Sequence, residues 1–546
     1  MVVIEIDAKI REIPRAENSR FSSNEGCLVG TRVAFLNFIT DWVIDPNPNS
    51  ERGLFLFGQA GTGKSSIAHE IARLFDKMNL LTMSFIFSRS EQSERKAPYH
   101  LFTTLAHHLA DRYPSFKTAL GNIVKDNVEL RGGTHDYLPL FESLILEPLK
   151  DLHIVGPILV VIDALDESGD TTNKNGLYTF SEFLAKNIFR LPSNFRVVIT
   201  SRPEPAIVSA LTKAQSDKNL KIKYMIKYMN DEELAADTHR DIVAFFHDKL
   251  PSNEFTQYVE PLAVKAEGLF QWAAVASGLI LNPPADFECE WEKCINHLLE
   301  PSKYPDGKDP LDELYEDVLR WHFKDQIARN LFRSVVGQLI TPIEPLTIHS
   351  LITLRQHASS NKRSDAAGTG ILRRLGSLLS NVNSSNENLP ITPLHTSFHD
   401  FLTNKEKSGD FYVDDLVAHE QLTHSCLNIL LDPHDGLKFN ICELKTSYLA
   451  NDAVEDLTTL DEHIPPALLY ACRFWDDHLK HTDFKTDLFQ KVETLFKEKF
   501  LFWLETLSLT RNIPLALSAF ATLNMWLPSS RDVSTITVGP MRNANN

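Results

Sequence analysis

The chain has 546 residues, 43% of them hydrophobic, with 33 Phe and 7 Trp, too long for one core and too apolar for global disorder. Its formal net charge of −17 argues against nucleic acid as the main ligand, since phosphate backbones are gripped by clustered Lys and Arg.

Residues 1–24 are polar and mixed, with Asn18, Ser19, Ser22 and Ser23 giving no sustained period, and read as a flexible arm. Glu5, Asp7 and Lys9 interrupt this start where an export signal needs an apolar run. Short apolar runs at 54–57, 83–87, 158–162 and 197–199 then alternate with longer amphipathic stretches. That alternation predicts a parallel sheet with helices on both faces. From Asp231 the period becomes helical, with a cap at Asn230 or Asp231 and an apolar face through Ile242, Phe245 and Phe246. The rest reads as mainly α, with breaks at Asn282-Pro283-Pro284 and over 301–310, 359–370 and 380–389. The most apolar runs, 154–165 and 269–281, are shorter than the ~20 residues of a bilayer crossing, so no membrane span is expected. The six Cys show no close pairing for zinc or redox chemistry, and the expectation is reduced thiols in a cytoplasmic protein.

The sharpest signal is Gly58-Gln59-Ala60-Gly61-Thr62-Gly63-Lys64-Ser65, which follows an apolar strand and opens a helix with Ile67, Ile71 and Leu74 on one face. This is the phosphate-loop pattern in its required strand–loop–helix context. Gly58, Gly61 and Gly63 let backbone N–H groups curl around a β-phosphate, with Thr62 between them. The helix start at Ser65 and Ser66 adds positive potential, Lys64 reaches the β- and γ-phosphates, and Ser65 ligates Mg²⁺. The expected ligand is ATP or ADP with Mg²⁺.

The run 158–162 ends in Asp163 and is followed by Ala164-Leu165-Asp166-Glu167. A carboxylate at the C-terminal end of a strand faces the nucleotide crevice of an open α/β sheet. Asp163 is assigned to Mg²⁺ through water, and either Asp166 or Glu167 to orienting or deprotonating the attacking water. A further strand ends at Thr200-Ser201-Arg202-Pro203, which puts Arg202 beside the γ-phosphate.

With these three elements in order, the chain resembles fungal NACHT-type NTPases of the STAND signal-transduction class, the nephrocystin-3-like N-terminal NTPase group. Asp163-Ala164-Leu165-Asp166-Glu167 matches the acidic pattern of NACHT proteins. Gly26-Cys27-Leu28-Val29-Gly30-Thr31-Arg32 resembles the segment whose backbone, near Thr31 and Arg32, lines the adenine pocket. Gly268-Leu269-Phe270-Gln271-Trp272-Ala273 resembles the start of the fungal helical lid, although plant and animal relatives carry an adenine-packing Pro where Phe270 stands. Leu394-His395-Thr396-Ser397-Phe398-His399-Asp400-Phe401-Leu402 resembles the close of a winged-helix module, and the resemblance implies that His395 contacts the β-phosphate of ADP. The segments around Asn440-Ile441-Cys442 and Cys472-Arg473-Phe474-Trp475 resemble a helical region of basidiomycete members.

The implied organisation is an arm (1–24), an α/β P-loop nucleotide-binding domain (25–230), a helical lid (231–300), a winged-helix-like domain (301–405), a helical domain (406–527) and a loose tail (528–546). The implied function is a slow ATP/ADP switch that opens and self-assembles, or pairs with related NACHT proteins. Two other readings stand beside it: a binding module without effective hydrolysis that lacks the terminal effector and sensor domains of many relatives, and a P-loop kinase. Adenine is favoured over guanine because Asn173-Lys174-Asn175 lacks the Asp of a guanine-reading motif.

Overall fold

The computed structural model describes residues 2–528 except 17–20, 22–25, 89–94, 96, 126, 132–133, 151, 153, 170–173, 218–223, 284–289, 303–307, 359–365, 383–385, 387 and 445–462. The chain divides into two compact units, Met1–Leu281 with Ile295–Pro301, and Asn282–Cys294 with Ser302–Asn546.

The first unit is an α/β P-loop fold. Five parallel strands, β1 (Gly53–Phe57), β2 (Leu81–Ile86), β3 (Ile158–Asp163), β4 (Phe195–Ser201) and β5 (Tyr224–Tyr228), lie in the order β2-β3-β4-β1-β5. The three central strands are buried along their whole length, as a sheet covered on both faces requires. Alternation with period two sorts their side chains between two cores. Phe55, Phe57, Val160, Ile162, Val197 and Ile199 share one core with the helices Tyr99–Arg112 and Lys174–Asn187. Leu54, Leu56, Leu159, Val161 and Val198 share the other with the helices Val33–Ile44 and Lys64–Lys77. Phe57 stands opposite Ser201, and Ile86 opposite Asp163, so the loops after β1, β3 and β4 leave the sheet at one end.

β5 has no counterpart among the apolar runs read from the sequence. It is an edge strand, buried only at Tyr224, so its Tyr-Met-Ile-Lys-Tyr lacks a continuous hydrophobic signature. The start of the chain also departs from expectation: residues Val2–Arg11 form a helix rather than a flexible arm. Ile6, Ile10 and Ile13 are spaced as one helical face, and Ile10 and Ile13 are buried in the sheet core. Ile6 packs where Gly121 leaves no room for a Cβ. Polar ties complete the docking, with Lys117 on Asp7 at 2.5 Å and Arg131 on Glu12 at 2.6 Å.

The second unit is helical. Its best-packed pair is Asp415–Leu431 against Pro466–Leu479, joined by Phe500–Leu509 and Pro514–Trp526 around Trp475 and Trp503, whose rings meet at 5.9 Å. Nearer its start, Pro310–His322 and Gln326–Ile340 come before two isolated antiparallel bridges, Thr347 with Pro390 and Leu379 with Pro393, and Ile348–His357 follows directly on Thr347. The break expected over 359–370 is shorter, since a helix begins at Ala366; residues 359–365 and the expected tail from 529 lie outside the described residues. The described cysteines, Cys27, Cys294, Cys426, Cys442 and Cys472, are free thiols. No helix among the described residues is long and apolar enough to cross a membrane.

Candidate functional site

The loop 58–63 turns tightly between β1 and the helix Lys64–Lys77. Gly61 and Gly63 have φ of 81° and 89°, left-handed values that cost a side chain about 1–2 kcal/mol. Gly58 is needed for a different reason: a Cβ there would stand 2.7 Å from Met229 Cγ and 2.8 Å from Thr62 Oγ1. The turn is closed on Gln59, whose carbonyl accepts from Thr62 Oγ1 and from Lys64 Nζ, each at 2.9 Å.

Gly63 caps the helix without a side-chain hydrogen bond, so the first-turn N–H groups that Ser, Thr or Asp caps would satisfy are left to another acceptor. A helix start of this kind, behind a loop hinged on two left-handed glycines, has the donor set for a phosphate. Ser65 is exposed beside it and Ser66 half-buried.

β3 delivers the acids. Asp163 is buried and accepts a hydrogen bond from Thr200 Oγ1, which in turn accepts the Ala164 N–H at 3.2 Å. Ala164 takes a left-handed φ of 57°, a strained value for a side chain, and reverses the chain into the short turn Leu165–Glu167. That reversal brings Asp166 to the end of β4. Its Oδ1 accepts from the Arg202 backbone N–H at 2.9 Å and lies 3.3 Å from Ser201 Oγ, while Oδ2 lies 3.3 Å from Arg202 Nε. Lys64 senses all of them. Burial pulls its pKa down from 10.5 to about 8, against the opposing pull of Asp166, Asp163 and Glu167, and Arg202 lowers it further. Lys64, Asp163, Asp166, Glu167 and Arg202 thus converge at one end of the sheet.

Thr31 and Arg32 stand beside the loop, and both use their side chains within the protein. Thr31 Oγ1 donates to the Leu28 carbonyl at 2.7 Å. Arg32 is 5% exposed, with Nη2 donating to the Thr62 carbonyl at 2.9 Å, Nη1 to Thr238 Oγ1 at 2.5 Å, and the guanidinium 4.9 Å from the centroid of Phe270. His395 belongs to the second unit. There it caps the helix Thr396–Leu402, its Nδ1 accepting from the Ser397 N–H at 3.1 Å.

Several residues at this site escaped the sequence reading. Thr200 and Ser201 sat inside a motif singled out only for its arginine. Arg95 follows β2, where no pattern marks it; burial lowers its pKa and Glu167 opposes that shift, so its charge stands near the acidic turn. Of the two cap positions expected from sequence, Asn230 and Asp231, it is Asp231 that stands at the start of Glu232–Lys249, though its carboxylate caps no helix N–H and accepts the Tyr228 N–H at 2.9 Å.

Residues 32–202, from the first of these arginines to the last, match the family profile described as nephrocystin 3, N-terminal. No curated protein matches the chain. Among solved structures it is similar to that of the Aeropyrum pernix ORC2 protein (ADPNP–ADP complexes), with a TM-score of 0.30 and 12% identity, over 76% of this chain and 97% of that one.

Proposed function

We propose that the chain is an ATP/ADP-binding switch of the NACHT type in the STAND class, with the fungal pattern of motifs, slow Mg²⁺-dependent hydrolysis, and opening coupled to self-assembly or pairing with related NACHT proteins. The observation that carries this reading is the glycine-hinged loop 58–63 ending at an uncapped helix, with Lys64 and the charges of Asp163, Asp166, Glu167 and Arg202 gathered beside it.

In this reading the amides of the loop and Lys64 bind the β- and γ-phosphates. Ser65 and Asp163 would hold Mg²⁺, which neutralises phosphate charge when bound. Thr200 fixes the Asp163 carboxylate by its hydrogen bond. Asp166 has both oxygens engaged with the Ser201-Arg202 turn and keeps Arg202 aimed along the end of the sheet. Glu167 is then the acid assigned to the attacking water.

The two antiparallel bridges after a set of short helices suit a winged-helix module over 301–405, and free thiols suit the cytoplasm. A switch also needs a difference in affinity between its states, because a ligand shifts an equilibrium only by that difference.

The test is the nucleotide content of the purified protein beside Lys64→Ala, followed by mass measurements in ADP and in a non-hydrolysable ATP analogue. Tightly held ADP lost in the variant, with a larger assembly in the analogue, is the expected result. Equal mass in both nucleotides would sink the switch, and no nucleotide binding at all would leave a binding module.

A further inference from the structure

Two successive peptide planes of the phosphate loop are held from outside it. The Gly61 carbonyl accepts the backbone N–H of Gln271 at 3.1 Å, and the Thr62 carbonyl accepts from Arg32 Nη2 at 2.9 Å. In a trans peptide the C=O and the following N–H point in opposite directions. Pinning the Gly61 and Thr62 carbonyls outward therefore turns the N–H groups of Thr62 and Gly63 the other way, into the concavity of the loop. Without those restraints the planes could rotate cheaply, because Gly61 and Gly63 flank them.

The restraints come from helices beyond the sheet. Gln271 lies in the first turn of Phe270–Leu281, and Arg32 is seated on Glu232–Lys249. Asp241 Oδ2 accepts the Arg32 backbone N–H at 2.9 Å and lies 3.9 Å from its Nε, while Thr238 accepts from Nη1 and the ring of Phe270 lies against the guanidinium. Both groups lie beside Gly63, where a Cβ would make ordinary van der Waals contact with Arg32 Nη2 at 3.9 Å and Phe270 Cδ2 at 3.7 Å. Three separate nitrogens of the planar guanidinium face Thr238, Thr62 and Asp241, a spread that the single nitrogen of a lysine does not reproduce.

We infer that Arg32, seated by Asp241 and Thr238, and the backbone of Gln271 are positioning residues that pre-orient the phosphate loop for the β-phosphate of a nucleoside di- or triphosphate. The inference rests on the phosphate-binding reading above and gives Arg32 a role directed at phosphate rather than at the base. It also couples loop and helices: disturbing Glu232–Lys249 or Phe270–Leu281 releases the amides, and filling the loop tightens the helices.

The experiment compares equilibrium affinities for AMP, ADP and a non-hydrolysable ATP analogue in wild type, Lys64→Ala, Arg32→Ala, Arg32→Lys, Asp241→Asn and Thr238→Val, with a thermal melt of each. Arg32→Ala is expected to lower ADP affinity tenfold or more while AMP affinity changes less than twofold. Arg32→Lys should fail to rescue, and Asp241→Asn should lose several-fold in the same direction. If Arg32→Ala does not fold, Asp241→Asn and Thr238→Val decide by the same ADP-to-AMP ratio. An unchanged ratio, or equal losses for AMP and ADP, overturns the inference while a Lys64-dependent wild type keeps the nucleotide reading. A wild type that binds no ADP defeats the nucleotide reading itself and this inference with it.

Discussion

Lys64 supplies a measurement that reports on the site without any assay of turnover. Burial leaves its amine with a pKa of about 8 instead of 10.5. A bound polyphosphate places negative charge on the ammonium and restores the ordinary value, so nucleotide binding must take up a proton wherever the free protein has already lost it. With a free pKa near 8, about 0.1 proton should be taken up per nucleotide at pH 7 and about 0.9 at pH 9. The sign follows: affinity falls as pH rises, by about tenfold between pH 7 and pH 9, under a ceiling of about 3.4 kcal/mol set by the distance from 8 to 10.5. The assay is calorimetric titration with Mg-ADP in two buffers of different ionisation enthalpy, whose difference in heat counts protons. At pH 9 the terminal phosphate of ADP is fully ionised, so an uptake there belongs to the protein. No uptake at pH 9, or the same uptake in Lys64→Met, would refute the placement of Lys64 against the phosphates.

Three further outcomes follow from the packing. Gly63→Ala forces a side chain onto φ of 89° and is expected to cost about 1–2 kcal/mol and to abolish ADP binding, checked by chemical denaturation and calorimetry. Arg196 is buried and donates to the carbonyls of Trp42 (3.1 Å), Asp45 (2.9 Å), Ser193 (2.8 Å) and Phe195 (3.0 Å), stapling Val33–Ile44 to β4. Arg196→Met leaves those acceptors without their donor and should destabilise the first unit by about 3–5 kcal/mol; a loss below 1 kcal/mol in urea would contradict it. Asp476 is buried beside Thr522 Oγ1 at 3.3 Å, and burial raises its pKa to about 7. A carboxyl raised in the fold stabilises below its unfolded value and loses that contribution as pH rises towards 7. Asp476→Asn should therefore be the more stable protein at pH 8, by up to about 4 kcal/mol, with the advantage gone at pH 4.

What could be read from the sequence follows how local each signal is. The phosphate loop, the acidic strand end and the Thr-Ser-Arg turn are each set by contiguous residues, and the parallel sheet follows from three strands buried along their length. β5 and the helix Val2–Arg11 carry weaker signals, because β5 is fully buried only at Tyr224 and includes Lys227, while Glu5, Asp7 and Lys9 interrupt the apolar residues of the helix. The partnership of Arg32 with Asp241 joins positions 209 apart in the chain, and that of Asp166 with Arg202 spans 36. No periodicity carries such pairs; they exist only once β1, β3 and β4 are in register and the later helices close over the loop.

The charge at the strand ends argues for what the site must receive. Asp163, Asp166 and Glu167 carry three negative charges within reach of Lys64, while Lys64, Arg202 and Arg95 supply three positive ones. The two sets of charges balance and Arg202 is already committed to Asp166, so the cluster has no surplus of positive charge to offer a triphosphate. Like charges gathered in a crevice of low dielectric repel strongly. A polyanion brought there alone would meet three carboxylates; brought with a divalent cation, it turns Asp163 from a repulsive neighbour into a ligand. In the proposed reading, the same acids that make the nucleotide alone a poor fit make the metal–nucleotide pair a good one, so the loaded form is the ligand this charge pattern favours.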